Sequence, residues 1–249
     1  MQLIVLGSGT CVPSLTRNAP GYFLAAGGGR LLIDIGDTTL RQLVRAGIPY
    51  FGIDTLFITH THPDHISGLL PFLHASTSTP GSTRTRELSI IGPPSIQEFY
   101  ECCIGTIMKQ PATFPVTITE MHDRLALGSI LVESIPTVHT ATSIAFRFTE
   151  NNRSVVFTGD CDYDENLIAF SRNADLLVID CSFPNSMKTV GHLIPKECGL
   201  IAREANVKKV LLTHIYPSDE PETLRVDACR TMFGGEVILA RDLMELDIA

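Results

Sequence analysis

The sequence predicts an α+β chain in which two mixed β-sheets pack face to face with helices outside them. Three observations lead there. Short apolar strands recur along the chain, helical stretches interrupt them twice over, and no linker or low-complexity tract separates the two passes. Strands this apolar are buried on both faces, which paired sheets flanked by helices provide. With 249 residues, 44% of them hydrophobic, the chain can bury an ample core. One domain spanning residues 1–249 is expected.

Gln2 to Leu6 reads as a strand running into the loop Gly7-Ser8-Gly9-Thr10-Cys11-Val12-Pro13. Gly-x-Gly after a strand suggests dinucleotide binding, but no third glycine and no helix follow, which excludes it. Tyr22–Ala26 and Arg30–Ile35 form a hairpin across Gly27-Gly28-Gly29. Thr38–Ala46 is helical and stopped by Gly47 and Pro49. The apolar run Leu56-Phe57-Ile58 precedes a helical run from Ile66 to Leu73, and Ser76 to Ser82 is a polar loop. Leu88–Ile91 is a short strand and Ser95–Met108 a helix. Val116–Met121, Arg124–Leu127 and Ile130–Val138 read as successive antiparallel strands, and Ile144–Phe148 pairs with Val155–Thr158 across Asn151-Asn152. Helix and strand then alternate: Glu165–Arg172, Leu176–Ile179, Pro195–Ala205, Val210–Thr213 and Glu222–Met232. Glu236–Ala240 and Leu243–Leu246 are expected to pair at the end.

Formal net charge is −8, so no general basic surface for nucleic acid is announced. The seven cysteines are odd in number and scattered, with no C-x-x-C, which reads as reduced thiols rather than a disulfide framework. No signal-peptide pattern and no apolar run of membrane-spanning length occur, so a cytoplasmic protein without a membrane partner is expected.

Chemistry concentrates in Thr59-His60-Thr61-His62-Pro63-Asp64-His65. In an extended segment His60 and His62 share a face. Pro63 fits the first turn of a helix, so Asp64 and His65 leave in a new direction. Donors leaving in two directions suit two metal ions, and imidazole with carboxylate suits zinc, iron or manganese. The same strand ending recurs. Val155-Val156-Phe157-Thr158-Gly159 delivers Asp160, Val210-Leu211-Leu212-Thr213 delivers His214, and Ile135-Pro136-Thr137-Val138 delivers His139. Singly, these are ordinary residues. Together they point to one rim of the sheets, with a carboxylate at Asp160 able to bridge two cations.

These residues, with Leu32-Ile33-Asp34-Ile35-Gly36, resemble the metallo-β-lactamase superfamily and its ribonuclease Z-like branch. The resemblance implies an αββα sandwich. It implies that His60, His62 and His139 hold one divalent ion, that Asp64, His65 and His214 hold the other, and that Asp160 bridges them. Zinc is the expected metal, with manganese or iron as alternatives, and a homodimer is expected by resemblance alone. The chain departs from lactamases and glyoxalases in following His139 with Thr140-Ala141-Thr142, which places it nearer the phosphodiesterases. It departs from bacterial ribonuclease Z in leaving room for only a hairpin, not a tRNA-gripping arm, between His139 and Asp160. His192 falls where related phosphodiesterases place a histidine that holds no metal.

The chemistry implied is attack of an activated water on phosphorus. Asp64 orients that water and His192 acts as the acid toward the leaving alkoxide. Asp34 reads as a carboxylate fixing one imidazole through its other nitrogen. Arg17 either grips a substrate phosphate or pairs with a carboxylate. The expected substrate is a small phosphodiester or short nucleic acid. The alternatives are tRNA 3′-end processing, hydrolysis of a carboxylic ester or lactone, and a non-catalytic metal-stabilised binding protein.

Overall fold

The strands fall into two seven-stranded sheets in the computed structural model, which describes residues 1–82, 84–108, 111 and 113–248. The first sheet contains β1 (Gln2–Gly7), β2 (Gly21–Ala26), β3 (Gly29–Ile35), β4 (Thr55–Phe57), β5 (Leu88–Gly92) and β6 (Val116–Glu120). The second contains β7 (Arg124–Leu127), β8 (Ile130–Pro136), β9 (Ile144–Glu150), β10 (Arg153–Phe157), β11 (Leu176–Asp180), β12 (Lys209–Thr213) and β13 (Glu236–Leu239). The last strand, β14 (Glu245–Asp247), returns to the first sheet beside β1. Each sheet is antiparallel on one side, and parallel from β3 to β6 and from β10 to β13.

Alternation along buried strands explains the layering. In β11, Leu176 and Val178 face the other sheet, while Leu177 and Ile179 face the helices. Between the sheets Phe57, Phe146, Phe148 and Phe157 pack edge-on or tilted, with the Phe57 and Phe148 rings 4.9 Å apart. Helices α1 (Thr39–Arg45), α2 (Pro63–Ile66), α3 (Leu69–Ser78), α4 (Ile96–Phe99) and α5 (Gly105–Ile107) accompany the first sheet, with a π-helical turn at Tyr100–Ile104. They bury Leu43, Ile66, Phe72, Ile96 and Ile104 on its outer face. Helices α6 (Glu165–Phe170), α7 (Pro195–Glu204) and α8 (Glu222–Phe233) bury Leu167, Ile201 and Cys229 on the second. The result is the αββα sandwich.

Three expectations about connections are corrected. Val116–Met121 does not pair with Arg124–Leu127: β6 lies parallel to β5 at the edge of one sheet, and β7 opens the other. The chain crosses between sheets there, and a local reading sees only two adjacent strands. Glu236–Ala240 and Leu243–Leu246 likewise separate, β13 joining β12 and β14 joining β1. The helix expected from Ile66 to Leu73 is two helices broken at Ser67-Gly68, and the second continues to Ser78 into the stretch read as loop. All seven cysteines are free, and Cys161, Cys181, Cys198 and Cys229 are buried. Among the described residues, no helix is long and apolar enough to cross a membrane.

Candidate metal centre

Strands β3, β4, β8, β10, β11 and β12 end at a common rim, where their following residues meet. His60 Nε2 and His139 Nε2 each lie 3.1 Å from His62 Nδ1. Asp160 Oδ2 stands 3.8 Å from His60 and 3.6 Å from His139. On the other side, His65 Nε2 and His214 Nε2 are 3.3 Å apart, and Asp64 Oδ2 is 3.4 Å from His214. Asp160 Oδ1 faces this second group, 3.1 Å from His65 and 3.2 Å from His214. One carboxylate thus turns an oxygen to each of two donor clusters. All seven residues named from the sequence come together, while His74 and His122 belong to neither cluster.

The backbone is shaped to permit this. Asp34 and His214 adopt left-handed φ of 54° and 57°, a conformation that costs free energy outside glycine and concentrates at functional sites. Gly159 is left-handed too, and a Cβ there would lie 2.7 Å from the Thr59 Cβ. Only glycine lets Asp160 approach the strand end that carries His60.

The outward nitrogens decide what the inward ones can do. His65 Nδ1 donates to Asp34 Oδ2 at 2.8 Å, and His139 Nδ1 donates to the Gly191 carbonyl at 2.9 Å. Thr59 donates its hydroxyl to Asp34 and accepts from His60 Nδ1 at 3.1 Å. Ser182 donates to Asp180 at 2.6 Å and accepts from His214 Nδ1 at 2.9 Å. A neutral imidazole holding its proton on Nδ1 presents a lone pair at Nε2. Nε2 of His60, His65, His139 and His214 is thereby the nitrogen turned inward. Against the effect of burial, Asp160 and Asp34 favour a charge on a metal-free His65, and a cation would take the place of that charge. Burial, reinforced by the neighbouring His65, pushes the His60 pKa well below the imidazole range and keeps it in the metal-binding form. Asp160 Oδ1 is buried without a hydrogen bond, the situation of an oxygen meant for a cation. The donor set fits divalent metal ions.

His192 sits beside this group, its ring 4.9 Å from His139 and stacked 5.6 Å from His214. Its Nδ1 donates to Asp180 Oδ2 at 2.9 Å. Burial opposes a charge on His192, but the Asp180 hydrogen bond together with the negative charges of Asp180 and Asp160 outweighs it and lifts the pKa above the ordinary imidazole value. Asp34 lies where the sequence reading put it, behind His65. Arg17 takes the second of its two expected roles. Its guanidinium is spent on Glu222, Ser8 and the Ala240 carbonyl, tying the opening loop to α8 and the end of β13. It is not free to grip a phosphate.

Asp180 and Ser182 were not foreseen. Asp180 accepts from His192, from Ser182 and from the Cys161 amide, and so orients both His192 and, through Ser182, His214. The signal was present: Leu176-Leu177-Val178-Ile179 ends in Asp180 just as the other apolar strands end in their histidine or aspartate.

A sandwich of this topology with a His/Asp centre on its rim defines a metal-dependent hydrolase of the metallo-β-lactamase fold, in the ribonuclease Z-like branch. Comparison with known proteins narrows the class. The family described as Anti-Pycsar protein Apyc1 matches residues 1–230, and the chain belongs to that family. It is 31% identical to the probable metallo-hydrolase YhfI of Bacillus subtilis, over 97% of both chains. The crystal structure of YhfI superimposes with a TM-score of 0.86 over 98% of both chains. Ribonuclease Z of Archaeoglobus fulgidus is 27% identical over 99% of this chain and 97% of its own. That alignment runs to 306 positions, so the relative carries insertions that this chain lacks. The short form of human tRNase Z shares the fold, with a TM-score of 0.81 at 23% identity over the full length of both chains.

Proposed function

We propose that the chain hydrolyses small or nucleotide-like phosphodiesters with two divalent ions, zinc by preference and manganese or iron as alternatives. The observation that carries the reading is Asp160, whose two oxygens face two separate nitrogen clusters. His60, His62 and His139 would hold one ion and Asp64, His65 and His214 the other, with Asp160 shared. When bound, such ions supply Lewis acidity that makes water nucleophilic near neutral pH and offsets charge growing on the phosphoryl oxygens.

The chain's own residues do the rest. Asp64 stands at the edge of the centre with its carboxylate 10% exposed, placed to orient the attacking water and accept its proton. His192 gives a proton from Nε2 to the leaving alkoxide while Asp180, on Nδ1, stabilises the imidazolium beforehand. Arg17 is engaged elsewhere, and Lys188 is held by Asp162 and Glu197. Neither contributes charge to the phosphate, which leaves that work to the ions and His192. Between His139 and Asp160 the chain forms only the β9–β10 hairpin, so gripping a whole tRNA has no arm to rest on. The reading takes residues 1–249 as one domain acting in the cytoplasm as a homodimer.

The test uses one preparation with bis(p-nitrophenyl) phosphate, a naphthyl ester, a lactone and precursor tRNA. Phosphodiester turnover that Asp64→Ala abolishes is expected. Turnover of only the carboxylic ester or lactone, accurate tRNA 3′ cleavage in preference to the small diester, or bound metal with no turnover at all would each overturn it.

A further inference from the structure

The segment from Phe183 to Ile194 leaves the end of β11, passes over the centre and feeds α7. Its regular structure is one 3₁₀ turn at Asn185–Met187, and it exposes Met187 by 54% and Val190 by 89%. Apolar burial does not hold those residues down. Yet the segment delivers two groups where tolerance is small: the Gly191 carbonyl on His139 Nδ1, and the His192 ring against Asp180.

Phe183 stacked on Tyr216 and the buried Leu193 secure its ends, and Lys188 pins its middle. Its ammonium has three protons and three acceptors: Asp162 Oδ1 at 2.6 Å, Glu197 Oε2 at 2.6 Å and the His192 carbonyl at 2.7 Å. The other oxygen of Asp162 accepts from the Gly191 amide at 2.8 Å, and the Asp162 amide donates to the Val138 carbonyl at 2.8 Å. Glu197 in turn accepts from the Ile194 amide, where the segment enters α7. Asp162 follows Asp160 by two residues, and Val138 precedes His139. The clamp therefore ties the segment to the same two chain positions that present Asp160 and His139. Gly191 completes the fit: its φ is +88°, and a Cβ there would stand 3.2 Å from His139 Nδ1.

We infer that Lys188 is a positioning residue for the ion on the His60, His62, His139 side, and for His192. It acts through the height of the Gly191 carbonyl above His139, which fixes that imidazole's tautomer and aim. A compact ammonium brings its three protons to acceptors that converge on one point, whereas a guanidinium spreads its donors around a plane. The inference rests on the two-ion reading above and adds that one ion, not both, depends on a side chain remote from either.

The experiment titrates zinc against a chromophoric chelator for wild type, K188M, K188Q and, as a surface-charge control, K196M. Thermal unfolding is recorded in parallel, so that either Lys188 variant that folds suffices. Loss of an orienting partner weakens metal binding by about 10–100-fold. K188M and K188Q should show that loss for one ion, with the other ion as in wild type and K196M unchanged. For phosphodiesters the variants should keep KM and lose kcat, more so for poor leaving groups. Wild-type affinity for both ions in both variants, or equal weakening of both ions, would overturn the inference. One-sided ion loss in a protein without phosphodiesterase activity would fell the activity and leave the clamp standing. Normal turnover with both ions unaffected would do the reverse.

Discussion

Replacing Asp34 by asparagine isolates what one buried charge contributes to the centre. The Asp34 carboxylate is 1% exposed and accepts from the Thr59 amide at 2.8 Å, the Thr59 hydroxyl at 2.9 Å and His65 Nδ1 at 2.8 Å. Asparagine tolerates the left-handed backbone that Asp34 adopts, so the fold is not strained by the change. The amide oxygen must stay where Oδ1 is, because the Thr59 amide needs an acceptor. The amide nitrogen then replaces Oδ2, facing the His65 N–H donor to donor. A hydrogen bond to a charged group is worth roughly 1.5–3 kcal/mol. Loss of an orienting partner weakens a metal site about 10–100-fold, which corresponds to about 1.4–2.7 kcal/mol, so two independent routes agree. The assay is chelator competition with zinc, read against unfolding in urea. D34N should weaken the ion on the Asp64, His65, His214 side by that factor and largely spare the other. Unchanged affinity for both ions would refute the reasoning, since it would mean His65 keeps its tautomer and aim without Asp34.

Asp180→Asn tests the acid. Asp180 raises the His192 pKa, and the protonated ring is the active form, so activity persists below that pKa and falls as pH rises through it. Removing the charge should move the alkaline limb of kcat/KM to lower pH, and a limb that stays put would remove His192 from the acid role. Phe148→Ala tests the inter-sheet core, where Phe148 is fully buried against Phe57, Phe146 and Phe157. It should cost about 3–5 kcal/mol in urea unfolding. A loss within the ~0.5 kcal/mol of a surface substitution would show that the two sheets do not share that core.

Much of the centre is legible in the chain because its donors sit at strand ends. An apolar run that stops at a histidine or aspartate announces both the strand and the direction in which the side chain is delivered. That pattern holds for His60, Asp160 and His214, and it would have found Asp180. His139 follows the same pattern, three residues beyond β8 just as His60 and Asp160 stand three beyond β4 and β10, but its aim is set from elsewhere. Its role depends on the Gly191 carbonyl, 52 residues further along. No local pattern encodes such a contact.

The sequence by itself determined the elements, the two-sheet character and the donor set, because strand periodicity and metal-competent side chains are local properties. Only the tertiary structure decided which neighbours pair. The crossover from β6 to β7 and the parting of β13 from β14 follow from which sheet each strand can extend. It also decided what each charged group does. Arg17 found Glu222 and Asp34 found His65 across long stretches of chain, and Lys188 joined Asp162, 26 residues back, to two acceptors close to itself in sequence. A buried or half-buried charge takes the partner that satisfies it, and that partner is chosen by how the sheets close on each other.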